Sequence, residues 1–430
     1  MHTVAVVPPP TNAPNAPVGL LTGSEDGFVL RHVLGGDGVP RDPVEVGAHV
    51  GGAAVRAVTL VAERVGMNDL GDNSSTAVTT SSTDTSQSSY LLLSAGAKEV
   101  LHAWRVAWVK SVCSNSDSSW HLRTSLVATR GTLIKQNHTE WKKGCGFVAA
   151  SVESDQRFMD VTGIMSVNGC VALTASSSGA VTAMTLDSAN ISQRTKNGHR
   201  SDGAVQHSGA QQLRTFANLT YHNRPVLSVA VAEVKTKSGE LAVISASGAT
   251  DGTVACWDMS TAVQGLQDCN DATLSIFTLN PSHVTKKAHQ SGVNGVSLCG
   301  SSPGFFVMAS GGDDQVARCN LFSISSGDGA SGFLISSVAV FNEAFSHSSA
   351  IKGVWLGGGA GREMHLATTS HDQRLRMWSV TTNEKNITCI PSAGAFVECP
   401  EPEGLDGFIG HDGNPRVAVC GRGVQTFRLE

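Results

Sequence analysis

The stretch "LATTSHDQRLRMWSV", residues 366–380, decides how this chain folds. It places Ser370, His371 and Asp372 side by side, and these are the three residue types that carry catalysis in many hydrolases. Apolar and polar residues alternate on both sides of the short turn, which is typical of two strands joined as a hairpin. If the same pattern recurs elsewhere in the chain, these three residues are more simply explained as structural than as catalytic.

The pattern recurs along most of the chain. Each copy contains an apolar strand, a Ser or Thr, a turn of small and polar residues, and a second alternating strand. Five further copies are "LLTGSEDGFVLRHVL" (residues 20–34), "LLSAGAKEVLHAWRV" (92–106), "LTASSSGAVTAMTL" (173–186), "VISASGATDGTVACWDM" (243–259) and "VMASGGDDQVARCNLF" (307–322). A seventh and shorter copy, "RVAVCGRGVQTFRLE", occupies residues 416–430. Such regular recurrence indicates a repeat architecture in which neighbouring units share a core.

A hydroxyl residue precedes the turn residue by four positions in the first six copies, and in several of them the turn residue is an aspartate. A tryptophan often follows the aspartate, and a histidine often begins the apolar alternation upstream. A buried carboxylate needs hydrogen-bond partners, so these side chains are predicted to form a structural network. The predicted network residues are His289, Ser310, Asp314, Ser247, Asp251, Trp257, His347, Thr368, Asp372 and Trp378.

The register also separates Asp372 from its two neighbours. Asp372 stands where the other turn aspartates stand, whereas the positions of Ser370 and His371 are held by Ala249 and Thr250 in another copy. A nucleophile is not expected to alternate with alanine, and a catalytic triad is recognised by geometry rather than by adjacency. We therefore predict that the chain is not an enzyme and that it needs no cofactor and no metal.

Composition and charge limit the partners. The formal net charge is −5, and Lys and Arg form only small clusters at residues 142–143, 194–200 and 286–287, so we expect no DNA binding. No stretch approaches eighteen apolar residues, so no membrane span is expected. The first residues make a poor signal peptide, and none of the ten cysteines forms a CxxC pair. These features predict a cytoplasmic chain with free thiols.

The repeated units resemble the WD40 repeat, in which each unit forms one four-stranded blade of a β-propeller. The resemblance implies an all-β, seven-bladed WD40 β-propeller with long disordered loops between strands. We expect residues 1–430 to form a single propeller, with flexible insertions at residues 66–90 and 187–222. Both insertions are rich in polar residues and cannot bury enough apolar surface to order themselves.

A more specific resemblance rests on "DQRFMD" (residues 155–160), "HQSGVNG" (289–295) and the order of the hairpins around them. Together they resemble the family of WD repeat-containing protein six and its fungal counterparts, whose members are longer and whose C-terminal part this chain matches. That resemblance implies a non-catalytic subunit of the tRNA 2'-O-methyltransferase that modifies the wobble nucleotide of the anticodon. The implied partners are the catalytic subunit and, through the complex, tRNA.

Two alternatives remain open at this stage. Arg157 and Asp160 are the candidate partner-binding residues within the "DQRFMD" segment, but they could also form an ordinary salt bridge at the start of a strand. The chain could also be a general WD40 scaffold, for example in ubiquitin ligase assembly or vesicle traffic, because a fold does not fix a function.

Overall fold

The computed structural model describes residues 2–10, 13, 16–34, 40–49, 54–62, 89–112, 118–130, 133–134, 148–149, 156–166, 169–186, 211–266, 276–327, 332–358 and 363–428. These residues form seven β-sheets arranged as the blades of a propeller, plus a separate pair of short strands. The predicted all-β, seven-bladed WD40 propeller is confirmed.

The first three blades run outward from the propeller axis in strand order. Blade 1 contains β1 (Thr3–Val7), β2 (Gly19–Gly23), β3 (Phe28–Leu34) and β4 (Pro40–Ala48). Blade 2 contains β5 (Val55–Ala62), β6 (Ser89–Gly96), β7 (Leu101–Val112), β8 (Ser118–Thr129) and, parallel to β8, β14 (Gln211–Gln212). The separate pair is β9 (Leu133–Ile134) with β10 (Val148–Ala149). Blade 3 contains β11 (Phe158–Ser166), β12 (Gly169–Ser176), β13 (Val181–Leu186), β15 (Arg214–Leu219) and β19 (Phe277–Leu279).

The remaining blades are built in the same way. Blade 4 contains β16 (Val226–Lys235), β17 (Leu241–Ala249), β18 (Val254–Asp258) and β20 (His283–Thr285), with a short helix α1 (Ser260–Gln264) after β18. Blade 5 contains β21 (Val293–Gly300), β22 (Phe305–Gly312), β23 (Ala317–Ser326) and β24 (Phe333–Glu343). Blade 6 contains β25 (Ile351–Gly357), β26 (Met364–Ser370), β27 (Arg374–Thr382) and β28 (Ile387–Phe396). Blade 7 contains β29 (Gly404–Ile409), β30 (Pro415–Gly421) and β31 (Gly423–Arg428).

The two predicted insertions extend too far at their C-terminal ends. Residues 66–88 and 187–210 lie outside the described residues, but Ser89 and Tyr90 begin β6 and residues 211–219 supply β14 and β15. Phe216 and Leu219 are buried in β15, which pairs with β13. Their apolar side chains are enough to add a strand to blade 3, although the neighbouring sequence is polar.

The hydrophobic core lies mainly between neighbouring blades. One cluster joins Cys319 and Leu321 of blade 5 to Leu366, Trp378 and other residues of blade 6. Blades 6 and 7 share a second such cluster. Because each apolar sheet face is covered by the next blade, no blade can bury its core alone.

The seven inner strands, β1, β5, β11, β16, β21, β25 and β29, pack in sequence around the axis, and the circle closes where β29 packs against β1. At five of the seven junctions a polar side chain on one inner strand accepts a hydrogen bond from a backbone N–H of the next. The pairs are Thr3 with Val58 at 3.0 Å, Asp160 with Val229 at 2.9 Å, Ser228 with Val296 at 3.0 Å, Ser297 with Leu356 at 3.1 Å, and Asp406 with Val6 at 2.8 Å.

The junction of blades 7 and 1 depends on side-chain packing and on this last bond. No strand of blade 1 pairs with a strand of blade 7 among the described residues. The carboxylate of Asp406 accepts the N–H of Val6 across the junction, and burial raises the pKa of Asp406 to about 6. Val4 and Cys420 pack together beside it.

Replacing Asp406 by leucine is expected to weaken ring closure. The N–H of Val6 then loses its acceptor, which costs about 1–3 kcal/mol when the group stays away from water. The matched variant Asp406→Asn keeps an oxygen acceptor and should lose less. Urea unfolding measures both changes, and equal stability of Asp406→Leu and the wild type would show that the bond does not stabilise the junction.

Candidate functional site

Blades 5 and 6 each carry a complete histidine network at one face of the ring. In blade 5, His289 Nδ1 lies 2.9 Å from an Asp314 carboxylate oxygen, and its Nε2 lies 2.9 Å from Ser310 Oγ. Burial lowers the pKa of His289, which favours the neutral imidazole. Its Nδ1–H therefore donates to the carboxylate, and Nε2 accepts the hydroxyl proton.

Blade 6 repeats this arrangement. His347 Nδ1 lies 3.0 Å from Asp372 Oδ2, and Nε2 lies 2.8 Å from Thr368 Oγ1. Asp372 also accepts the N–H groups of Ser348 at 3.0 Å and Arg374 at 3.0 Å. Burial opposes ionisation of Asp372, but the Ser348 bond and His347 outweigh it and lower the pKa of the carboxyl group. Each aspartate thus ties the loop before one blade to the turn inside it.

These networks have the connectivity of a catalytic triad but not its exposure. Ser310 is 1% exposed and Thr368 is 0% exposed, so neither hydroxyl can meet a substrate in this conformation. The adjacent Ser370 is also buried, and its hydroxyl donates to the carbonyl of Ser349 at 3.0 Å. His371, which follows Ser370 in the sequence, is exposed to solvent.

Blade 4 holds only part of the predicted network. Ser247 Oγ lies 2.7 Å from Nε2 of His222, a histidine that the sequence analysis did not identify. Asp251 instead accepts the N–H of Thr253 at 3.0 Å within its own turn. Trp257 is fully buried, and its indole N–H has no hydrogen-bond partner.

The tryptophans do not share one role. In blade 2 the indole of Trp104 donates to Ser94 Oγ at 2.9 Å, and His49 Nε2 lies 2.9 Å from the same oxygen. Trp378 of blade 6 stands at the equivalent strand position, where it packs between blades 5 and 6 rather than completing the hydrogen-bond chain of Thr368.

Blade 2 replaces the acid by a second histidine. Lys98 occupies the turn position, and the ring of His102 lies 4.9 Å from the ring of His49, edge to face. Both nitrogens of His102 and Nδ1 of His49 are buried without a hydrogen-bond partner. Burial lowers the pKa of His102 to about 4 and lowers that of His49 well below its usual value. The pair is therefore neutral and costly to protonate.

A channel of about 430 Å³ runs along the axis and is lined by all seven inner strands. The candidate partner-binding residues Arg157 and Asp160 do not meet there as a salt bridge. Asp160 turns toward blade 4, where its carboxylate accepts a hydrogen bond from the Ser228 hydroxyl at 3.0 Å and another from the N–H of Val229 at 2.9 Å. Burial raises the pKa of Asp160 to about 6 despite these bonds. Asp160 thus joins two blades, and its carboxylate is not free for a partner.

Arg157 has a different environment. Its backbone bridges to Ala97 of blade 2 and bonds to Ser177 of blade 3, while the residue itself is exposed. Arg157 is exposed, whereas Asp160 is half-buried and its carboxylate already accepts hydrogen bonds from blade 4, so Arg157 is the stronger candidate for partner contact.

The rim of the channel carries charges of both signs. His2 lies 3.2 Å from Glu25, which in turn lies 3.6 Å from Arg56. Lys352 lies 3.4 Å from Asp313 on the other side. Because cations and anions are paired, the rim does not present the unbroken positive face that a phosphate backbone requires.

No family model matches the chain. The tRNA (34-2'-O)-methyltransferase regulator WDR6 of Mus musculus is 26% identical over 254 residues, which cover 53% of this chain and 21% of that protein. The regulator of the same name from Rattus norvegicus gives the same values. The chain is a WD40 propeller that resembles WDR6. It spans about a fifth of the length of these relatives.

Similar solved structures include Sqt1 from Chaetomium thermophilum bound to the N-terminus of the ribosomal protein L10. It is 13% identical, covers 100% of this chain and 85% of its own, and has a TM-score of 0.46. A chain of the mitotic checkpoint complex is 11% identical, covers 100% of this chain and 90% of its own, and has a TM-score of 0.48.

Among the described residues, the helix α1 is only five residues long and is too short to span a bilayer. Within the same residues, no group of three His, Cys, Asp or Glu side chains has the arrangement that could hold a metal ion.

Removing the carboxylate of Asp372 tests whether this residue is architectural. Asp372→Ala should lower the free energy of unfolding by about 1–3 kcal/mol, because His347 and the N–H of Ser348 lose a buried acceptor. The neighbouring exposed His371→Ala should change it by less than about 0.5 kcal/mol. Urea unfolding of both variants makes the comparison, and an equal effect would contradict the assignment of Asp372 to the network.

The histidine pair of blade 2 predicts a loss of stability in acid. His102 takes up a proton near pH 6.5 when unfolded but only near pH 4 when folded, so this residue lowers stability by about 2 kcal/mol at pH 5. Between pH 7.5 and pH 5, the free energy of unfolding of His102→Phe should therefore fall by about 2 kcal/mol less than that of the wild type, as measured by urea unfolding at both pH values. Exposed His121→Gln is the control, and the same acid sensitivity in His102→Phe and the wild type would disprove the explanation.

Proposed function

We propose that this chain is a non-catalytic scaffold subunit that supports 2'-O-methylation of the tRNA wobble nucleotide by a partner methyltransferase. The observation that carries the proposal is the match to the WDR6 regulators, whose name refers to the methyltransferase acting at position 34 of tRNA. The match agrees with the likeness of "DQRFMD" and "HQSGVNG" to that family.

The geometry supports a scaffold in which chemistry belongs to the partner. The hydroxyl–histidine–aspartate sets of blades 5 and 6 are buried and hold the blades together. Interaction is the general use of a rigid ring whose loops and outer strands remain accessible. A partner enzyme would therefore bring both the methyl donor and the catalytic residues.

The charges favour an indirect contact with tRNA. The net charge is −5, and the cations at the channel rim are paired with carboxylates. Lys286 and Lys287 are exposed together, but two cations neutralise too few phosphates for strong binding. In the proposed complex the methyltransferase makes most of the phosphate contacts, and the propeller positions it.

Deleting the gene tests the proposal directly. We expect loss of ribose methylation at the wobble nucleotide of the tRNAs that carry it, mapped nucleotide by nucleotide, and recovery when the wild-type chain is restored. Ser370→Ala should restore methylation equally well, because the proposal gives its hydroxyl no chemical role. Unchanged methylation after deletion would overturn the proposal.

Affinity purification separates the proposal from the second candidate, a general WD40 scaffold. That candidate is favoured by the fold itself, since propellers with the same architecture serve unrelated partners. Recovery of a 2'-O-methyltransferase with the tagged chain supports the wobble role. Recovery of ubiquitin ligase or coat subunits without a methyltransferase would favour the alternative.

A further inference from the structure

The outer half of blade 6 has an unfilled face toward blade 5. Arg374 and Arg376 lie on one face of β27, because the alternate residues Leu375 and Met377 point the other way and pack against blade 7. Their partners on β28 are Phe396 for Arg374 and Gly394 for Arg376. Directly paired residues of an antiparallel sheet share a face, so all four positions look toward the outer strands of blade 5.

Gly394 leaves a hollow in this face. A Cβ atom at Gly394 would meet only the carbonyl oxygen of Leu375, at 3.5 Å. An open space of about 300 Å³ lies here between β27 and β28, and Arg376, Trp378 and Pro391 are among its walls. The hollow can take one large apolar side chain.

Arg374 and Arg376 are both exposed. Among the residues that the structure describes, neither guanidinium has an ion pair or a hydrogen-bond acceptor. Blade 5 provides an internal comparison, because Arg318 stands at the position equivalent to Arg376. Arg318 donates to Asn320 at 2.9 Å and to the carbonyl of Ala288 at 3.1 Å. In blade 6, Trp378 replaces that asparagine, so the guanidinium of Arg376 loses its internal acceptor.

An exposed phenylalanine lies in the loop that leads into blade 6. Phe345 is 81% exposed and has a φ of +57°, a left-handed conformation that is unfavourable for a bulky side chain. It precedes His347 by two residues, and Arg374 follows Asp372 by two residues. Because His347 and Asp372 are bonded to each other, Phe345 and Arg374 lie near the same corner of the ring. Phe396 is 56% exposed beside Arg374.

We propose that this surface, formed by Arg374, Arg376, Gly394, Phe345 and Phe396, is a docking site for an acidic protein segment that carries a large apolar side chain. Two guanidinium groups at alternate positions of one strand match two carboxylates at alternate positions of an extended segment. The apolar side chain fills the hollow over Gly394, and the two phenylalanines cover it. Arginine and aromatic residues are the types that dominate binding energy at interfaces.

The occupant is a protein rather than a nucleic acid. Two cations are too few to hold a phosphate backbone, whereas they match the carboxylates of a short acidic segment. The site does not depend on which enzyme the propeller serves, so it can be tested independently of the proposed role in tRNA methylation.

The test uses the full chain and the fluorescein-labelled peptide Gly-Asp-Asp-Phe-Asp-Asp-Phe-Asp-Gly in fluorescence polarisation titrations. A second peptide with Asn in place of every Asp measures the contribution of charge. We expect the acidic peptide to bind at least about tenfold more tightly than the Asn peptide, and binding to weaken at high salt. The double variant Arg374→Glu with Arg376→Glu should weaken binding of the acidic peptide by at least about tenfold.

Two further variants separate docking from structure and from general charge. Lys286→Glu with Lys287→Glu makes the same change in net charge at another exposed place and should leave peptide binding within about twofold of the wild type. Phe345→Gly should weaken binding while keeping or raising the thermal midpoint, because glycine relieves the positive φ. A merely structural role for Phe345 would lower the midpoint instead.

Two results would overturn the proposal: equal binding of the acidic and the Asn peptides, or unchanged binding of the acidic peptide after Arg374 and Arg376 are both replaced by Glu. A single-stranded RNA oligonucleotide is titrated in parallel. If the RNA binds, the acidic peptide does not, and the arginine reversal abolishes RNA binding, the surface is a nucleic-acid site and the proposal is wrong.

Discussion

The structure depends on the closure of the inner ring. Each inner strand packs against the next, and the last contact joins β29 to β1 without a shared strand among the described residues. Asp406 spans this junction and bonds the N–H of Val6 across 400 positions of the chain. Since every blade buries its faces only against its neighbours, closure of this one junction completes the covering of blades 1 and 7.

The same constraint explains why the histidine networks lie where they do. Each joins the loop that leads into a blade to the central turn of that blade, so it fixes how one blade follows another. His289 and His347 need buried hydroxyl and carboxylate partners to remain in such a position. The resemblance to a catalytic triad follows from the shared need to orient an imidazole, while the burial of the hydroxyl excludes attack on a substrate.

Local sequence was enough to predict the fold and the two complete networks, because the hydroxyl, the aspartate and the histidine keep a constant spacing there. His289 and His347 each precede their hydroxyl by 21 residues, but His222 precedes Ser247 by 25, mainly because β16 is ten residues long whereas β21 has eight and β25 has seven. A search for any histidine ahead of an inner strand would have found His222.

Contacts between residues of different blades leave no such regular spacing in the sequence. The sequence assigned Asp160 to partner binding, whereas its carboxylate bonds Ser228 and Val229, nearly seventy positions away. Asp406 gave no local pattern at all. His102 of blade 2 was also missed, because the side-chain period of β7 does not reveal which of its faces carries this histidine into the core. Residues that act between blades are therefore the ones that a linear pattern cannot find.

Unequal anchoring gives the blades of the ring different local stability. Blades 5 and 6 each have a histidine bonded both to the hydroxyl of the central strand and to a carboxylate. Blades 2 and 4 have the histidine–hydroxyl bond without the carboxylate, between His49 and Ser94 and between His222 and Ser247. Partial opening of blades 2 and 4 should therefore cost less free energy than opening of blades 5 and 6. A ligand held on blades 5 and 6 would lose little conformational entropy from the protein, while the less anchored blades remain free to adjust to a second molecule.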